Sequence, residues 1–180
     1  FPLSGVIYFP KTNLPLNIFE ERYLNLVNEA YDKNKLMGMV QSKKENNSVY
    51  KIGCLGKISD YQKSKDGRVF INLTGVTRFE ILEEIDNNKL YREFNVNYKK
   101  FEEDLFVTSY EVKTDNLLEK AKTFFKSNGL LLNWKEFDKL DCVQKINTLA
   151  MISPITNEEK QKLLEVITLK EKVSTLENII

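Results

Sequence analysis

The chemistry open to this 180-residue chain is bounded first by what it lacks. It has no histidine, and its two cysteines, Cys54 and Cys142, stand one in each half. Ser-His and Cys-His nucleophilic pairs, histidine zinc sites and four-cysteine zinc sites are thereby removed. Both cysteines read as small buried hydrophobes. Carboxylates remain for acid-base or metal chemistry, at Glu83-Glu84 and at Glu102-Glu103-Asp104. Neighbouring strand residues face opposite sides, so Glu83 and Glu84 do not share a site. Residues 102–104 read as a solvated loop. The Gly-Lys step at Gly56-Lys57 is followed by Ile58 in a strand pattern, so it does not form the phosphate-cradling Gly-x-x-x-x-Gly-Lys-Ser/Thr loop. These residues point away from an enzyme and imply neither cofactor nor metal.

Recognition chemistry has better material. Phe9, Leu14, Phe19, Glu20, Arg22 and Tyr23 gather around a proline-bounded loop and the helix that follows it. Glu20 and Arg22 could frame a groove that takes backbone groups or a carboxylate, since guanidinium offers a two-pronged fork. The aromatic members could form an exposed docking patch. The alternative stands beside it: the aromatics pack into the core and Arg22 ties the helix to its loop. Arg78 reads as a contact that closes the sheet.

The elements that position these groups follow from periodicity. Residues 3–9 carry β-branched and aromatic side chains between Pro2 and Pro10 and read as a strand, with a loop and a short strand at 14–16 after it. Phe19, Tyr23, Leu26, Val27, Ala30 and Tyr31 recur at helical spacing. Short and long strands are expected at 36–40, 49–61 and 69–85, with Asp66-Gly67 turning a hairpin and a polar loop at 43–48. Gly53, Gly56 and Gly75 inside strand patterns mark bends or close backbone approach. Residues 91–98 alternate as a half-exposed strand. Beyond residue 104 the period becomes helical: Leu117, Leu118, Ala121, Phe124 and Phe125 share a face, with Gly129 as the stop. Asn133 and Asp141 are helix caps, and Thr156-x-x-Glu159 and Thr168-x-x-Glu171 are capping boxes. Leu169, Val173, Leu176 and Ile180 form one seam on the last helix.

Hydrophobic residues make up 42% of the chain and charged residues 29%, the balance of a folded globular protein. A net charge of +1 leaves no basic footprint for duplex nucleic acid. With neither a membrane-length apolar run nor a signal-peptide pattern, the expected location is cytoplasmic and no membrane partner is expected.

Several separated motifs together resemble the N-terminal substrate-binding (LON) domain of Lon proteases. They are residues 1–10, Leu14-Pro-Leu-Asn-Ile-Phe-Glu-Glu-Arg-Tyr-Leu24, Met37-Gly-Met-Val-Gln41, Tyr50-Lys-Ile-Gly-Cys-Leu-Gly-Lys-Ile58 and Ile71-Asn-Leu-Thr-Gly-Val-Thr-Arg-Phe-Glu80. Residues 147–154 and 158–165 look like the helical tail of the stand-alone bacterial form, which lacks the ATPase and peptidase domains. Two departures are local: Lys11 stands where the family often has glycine, and Glu21 where it often has proline.

The resemblance implies an α+β fold. A β-rich, PUA-like pseudo-barrel with one early helix occupies 1–110, and a C-terminal helical bundle occupies 111–180, packed against it. It also implies a nearly complete chain and a non-catalytic module that binds hydrophobic, unfolded segments of client proteins. Two alternatives stay open. One is single-stranded RNA binding through Tyr98-Lys-Lys-Phe101; the other is an adaptor role for a separate ATP-dependent protease.

Overall fold

The computed structural model describes residues 1–43, 47–106 and 112–180 and divides into two compact units, Phe1–Phe106 and Val107–Ile180. The boundary expected between 110 and 111 lies outside the described residues, as does the middle of the polar loop expected at 43–48. The first unit holds β1 (Pro2–Leu3), β2 (Asn13–Ile18), α1 (Glu21–Asp32), β3 (Leu36–Gln41), β4 (Ile52–Lys63), β5 (Val69–Ile85), β6 (Glu93–Asn97) and a 3-10 helix, Lys99–Leu105. The second holds α2 (Asp115–Ser127), α3 (Trp134–Phe137), α4 (Cys142–Ile152), α5 (Asn157–Glu165) and α6 (Leu169–Ile179). The chain is therefore α+β.

The strands form one mixed sheet in the order β1-β3-β4-β5-β2, with β6 also on β5. β1 joins β3 in parallel and every other pair is antiparallel. β5 carries most of this pairing. One side lies along β4, while the other serves β2 over residues 69–74 and β6 over residues 80–85. Backbone groups of β5 between those two partners would be orphaned unless something else met them.

Two contacts fill that interval. At Gly75 the loop before β2 docks by backbone alone: the Lys11 N–H donates to the Gly75 carbonyl (2.9 Å) and the Gly75 N–H to the Thr12 carbonyl (2.9 Å). A Cβ at Gly75 would sit 2.1 Å from the Phe9 carbonyl oxygen, so only glycine permits the approach. The register then passes from Gly56↔Gly75 to Leu55↔Thr77, leaving Val76 as an extra residue. This bulge exchanges the sides to which successive backbone groups point. Arg78 therefore turns its N–H into the interval, where the Asp104 carboxylate accepts it at 3.0 Å. The same carboxylate takes Nε and Nη2 of Arg78, both at 2.9 Å, and the guanidinium lies 4.2 Å over the Phe101 ring.

Several elements differ from the sequence expectation for identifiable reasons. Residues 102–104 belong to the 3-10 helix, and Asp104 is nearly buried because it neutralises Arg78. The strand expected at 3–9 pairs only at Pro2 and Leu3. Tyr8 and Phe9 are apolar there because their side chains are core, not because they ladder. The Tyr8 hydroxyl donates to the Cys54 carbonyl, and Thr12 Oγ1 closes a turn by accepting from the Phe9 N–H and donating to its carbonyl. Phe19 precedes α1 and is exposed, so it is not part of the buried helical face.

Local signals define the helices of the second unit. Gly129, at φ +68°, ends α2 in a Schellman motif: its N–H donates to the Lys126 carbonyl and that of Leu130 to the Phe125 carbonyl. Asn133 caps α3. Reciprocal capping boxes start α4 at Asp141 and Gln144, α5 at Thr156 and Glu159, and α6 at Thr168 and Glu171. Leu117, Ile146, Leu149, Leu163 and Leu176 fill the core, where Lys172 Nζ donates to Asn147 Oδ1 at 2.8 Å.

Two stability measurements follow. Asp104→Ala leaves a buried guanidinium and a backbone N–H unmatched, and is expected to cost about 3 kcal/mol in urea unfolding; a loss below about 1 kcal/mol would deny the pair this role. Lys11 sits at φ +61°, in the left-handed region that favours glycine. Lys11→Gly is expected to raise the unfolding free energy by about 0.5–1 kcal/mol.

Candidate functional site

α1 turns Tyr23, Val27 and Ala30 into the core and leaves Leu26 and Glu29 along its flank, with Lys33 just past its end. That flank borders a cleft of about 350 Å³, within the size range of binding sites. Leu36 and Met37 of β3, Leu55 of β4 and Phe79 of β5 line it, and Ile85, Tyr91, Phe94 and Val96 complete it from the end of β5 through β6. Phe79 and Met37 are buried, while Leu26, Leu36, Leu55, Phe94 and Val96 are half-buried. Apolar surface is thus held open beside the edge strand β6. The period-2 alternation of residues 91–98 signalled this face; that α1 would stand opposite was not readable from local pattern.

A polar cluster joins α1 to the segment between β5 and β6. Tyr91 OH donates to Glu29 Oε2, and Lys89 Nζ reaches Glu29 Oε1 (2.9 Å), Tyr91 Oη (3.0 Å) and Glu93 Oε1 (2.8 Å). Lys33 Nζ adds a bond to Glu29 Oε1 at 2.6 Å. The hydrogen bond from Lys33 and those from Tyr91 and Lys89 hold the Glu29 carboxyl at about 2, below its ordinary 4.5. Bonds to Glu93, Tyr91 and Glu29 push the Lys89 ammonium upward. Burial raises the Tyr91 phenol, as does its bond to Glu29.

The six residues singled out from the sequence separate into two groups. Phe9 is wholly buried, and Leu14 and Tyr23 nearly so; the Tyr23 hydroxyl donates to the Pro2 carbonyl at 2.8 Å. These three are core side chains. Phe19 is 67% exposed, and Glu20 and Arg22 are paired at 3.0 Å on the surface, with the guanidinium 4.4 Å over the Tyr23 ring. This exposed group marks the entry to α1, and none of it lines the cleft. Of the aromatics in 98–101, Phe101 is buried and only Tyr98 is accessible. Among the described residues, no group of three Cys, Asp or Glu side chains converges as metal ligands do. Among the described residues, no helix is long and apolar enough to cross a membrane.

Residues 1–180 match the model of the ATP-dependent protease La (LON) substrate-binding domain. The Lon protease of Syntrophus aciditrophicus is 24% identical over 99% of this chain, which corresponds to 24% of that protein. The Lon protease of Bacillus thuringiensis is likewise 24% identical, over 23% of its length. The chain spans about a quarter of the length of these curated relatives. A crystal structure of a Lon N-terminal domain protein from Xanthomonas campestris superposes with a TM-score of 0.68, at 19% identity, over 98% of this chain and 94% of that one. The N-terminal domain of a Mycobacterium avium complex Lon protease gives 0.66 at 15% identity, over 99% and 94%. The chain belongs to the LON substrate-binding domain family and has the Lon N-terminal fold.

The depressed Glu29 pKa makes a signed prediction. The stabilisation it brings is fully present above about pH 4.5 and is lost as pH falls through about 2. Thermal unfolding at pH 5 and pH 2.5 should therefore show a larger loss for the natural protein than for Glu29→Gln; equal losses would refute the assignment.

Proposed function

We propose that this member of the LON substrate-binding family captures unfolded, apolar segments of cytoplasmic proteins in the cleft beside α1, performing no bond-breaking step of its own. One observation carries this reading: Leu26, Leu36, Leu55, Phe94 and Val96 stay only half-buried around one concavity instead of closing it. Accessible apolar surface of this kind marks recognition sites. The neighbouring edge of β6 adds backbone groups that an extended chain can pair with, while the apolar pockets select its side chains. Ordering a flexible segment offsets much of the burial energy, so binding is weak and tolerant of sequence. Handing such segments to a separate ATP-dependent protease is the adaptor role consistent with this site. The burial of Phe101 favours peptide over RNA, because one of the two aromatic rings an RNA platform would use is closed off.

The test is fluorescence anisotropy with a neutral, labelled ten-residue peptide containing Leu and Phe. Phe94→Asp should weaken Kd about tenfold or more, while Phe19→Ala leaves it unchanged. A folded Phe94→Asp protein with the natural Kd would sink the cleft assignment, and sensitivity to Phe19→Ala alone would move the site to the α1 entry. A uridine-rich RNA titrated in parallel, bound tightly and lost steeply with salt, would install the RNA reading in its place.

A further inference from the structure

The polar cluster on the cleft has a geometry that simple surface pairing does not require. Glu29 stands on α1, one flank of the cleft, and Lys89 and Tyr91 stand on residues 86–92, the strap joining β5 to β6 on the other. Glu29, Tyr91 and Glu93 themselves line the cleft. The bonds from Lys89 and Tyr91 to Glu29 therefore bridge two flanks of the same concavity, and the ammonium also engages Glu93, at the start of β6. Tyr91 is buried at 8% exposure, which gives the strap a fixed seat, whereas Lys89 and Glu29 are each about one-third exposed. Solvent and ions reach the charged half of the bridge.

We propose that Lys89 bolts the strap to α1, so that access to the apolar cleft is governed by ionic strength. This rests on the reading of the cleft as a binding site for apolar segments. With the bolt engaged, the two flanks are held together and the apolar wall is only half accessible. When mobile ions screen the Lys89–Glu29 and Lys89–Glu93 attractions, the charged end of the strap is released while Tyr91 keeps its seat, and the mouth of the cleft widens. Docking of a neutral apolar ligand is itself nearly indifferent to moderate salt. Salt-stimulated binding is thus a signature that an ordinary greasy surface would not give.

The experiment compares the natural chain with Lys89→Met, which keeps the apolar stem and removes the charge, and with Tyr91→Phe, which removes the hydroxyl bridge. Circular dichroism melts establish that each is folded. Two neutral probes, Nile red and the apolar peptide, are titrated between 20 mM and 500 mM sodium chloride. Natural-chain affinity for Nile red is expected to rise about fivefold across this range, while Lys89→Met binds at the high-salt level throughout. Tyr91→Phe should fall between them. Salt-independent binding by the natural chain, or an equal salt response in Lys89→Met, overturns the bolt. A bolt-dependent Nile red response with no peptide binding would retain the bolt and refute the peptide reading; peptide binding without any salt response would do the reverse.

Discussion

One long strand must satisfy two partners on the same side, and the rest of the first unit is arranged around that constraint. β5 is continuous from Val69 to Ile85, yet β2 covers only its first part and β6 only its last. The interval is closed by a loop that approaches Gly75 through backbone and by a carboxylate that meets Arg78. Each closure also fixes something else. The Gly75 contact holds the loop containing Phe9 and Thr12, and the Arg78 contact holds the 3-10 helix against the sheet. With β6 held in register beyond the interval, Phe94 and Val96 can stand across from α1 and form a cleft.

The cleft then depends on a division between buried and half-buried apolar side chains. Phe79 and Met37 provide a closed floor, and Gly38 lies so near the Phe79 ring that a Cβ there would be 3.1 Å from it. Above the floor, the walls retain accessible apolar surface at Leu26, Leu55 and Phe94. Charged groups occupy the margin, where the carboxylates of Glu29 and Glu93 are paired with the ammonium groups of Lys33 and Lys89.

Local signals were legible in the sequence; long-range pairings were not. Asp66-Gly67 gave the hairpin, with Gly67 at φ +89°, and the limits of β5 coincide with its apolar pattern. Thr156-x-x-Glu159 and Thr168-x-x-Glu171 named the starts of α5 and α6, because both halves of a capping box lie within one turn. Gly56 inside a strand pattern signals a bend, a bulge or a close approach, and a Cβ there would meet the Tyr8 hydroxyl at 2.2 Å. Asp104 looked like part of a solvated acidic run because its partner, Arg78, lies 26 residues away. Phe9 and Tyr23 looked equally suited to surface or core, since aromatic character alone does not say which side of a loop faces inward. The Glu29–Lys89 contact spans 60 residues, beyond any periodic signal.

The extra residue at Val76 acts as a reading-frame marker for the sheet. Gly56↔Gly75 and Leu55↔Thr77 follow one another across it, so along β4 the frame of β5 tolerates an unpaired residue at this position alone, and the loss of a paired residue elsewhere would transpose the inward and outward side chains on one half of β5 relative to the other. Length changes in the hairpin around Gly67, where a Cβ would meet open space, carry no such penalty. Among related chains, single-residue gaps should therefore collect at that turn and be absent from the paired stretches of β5 on either side of Val76.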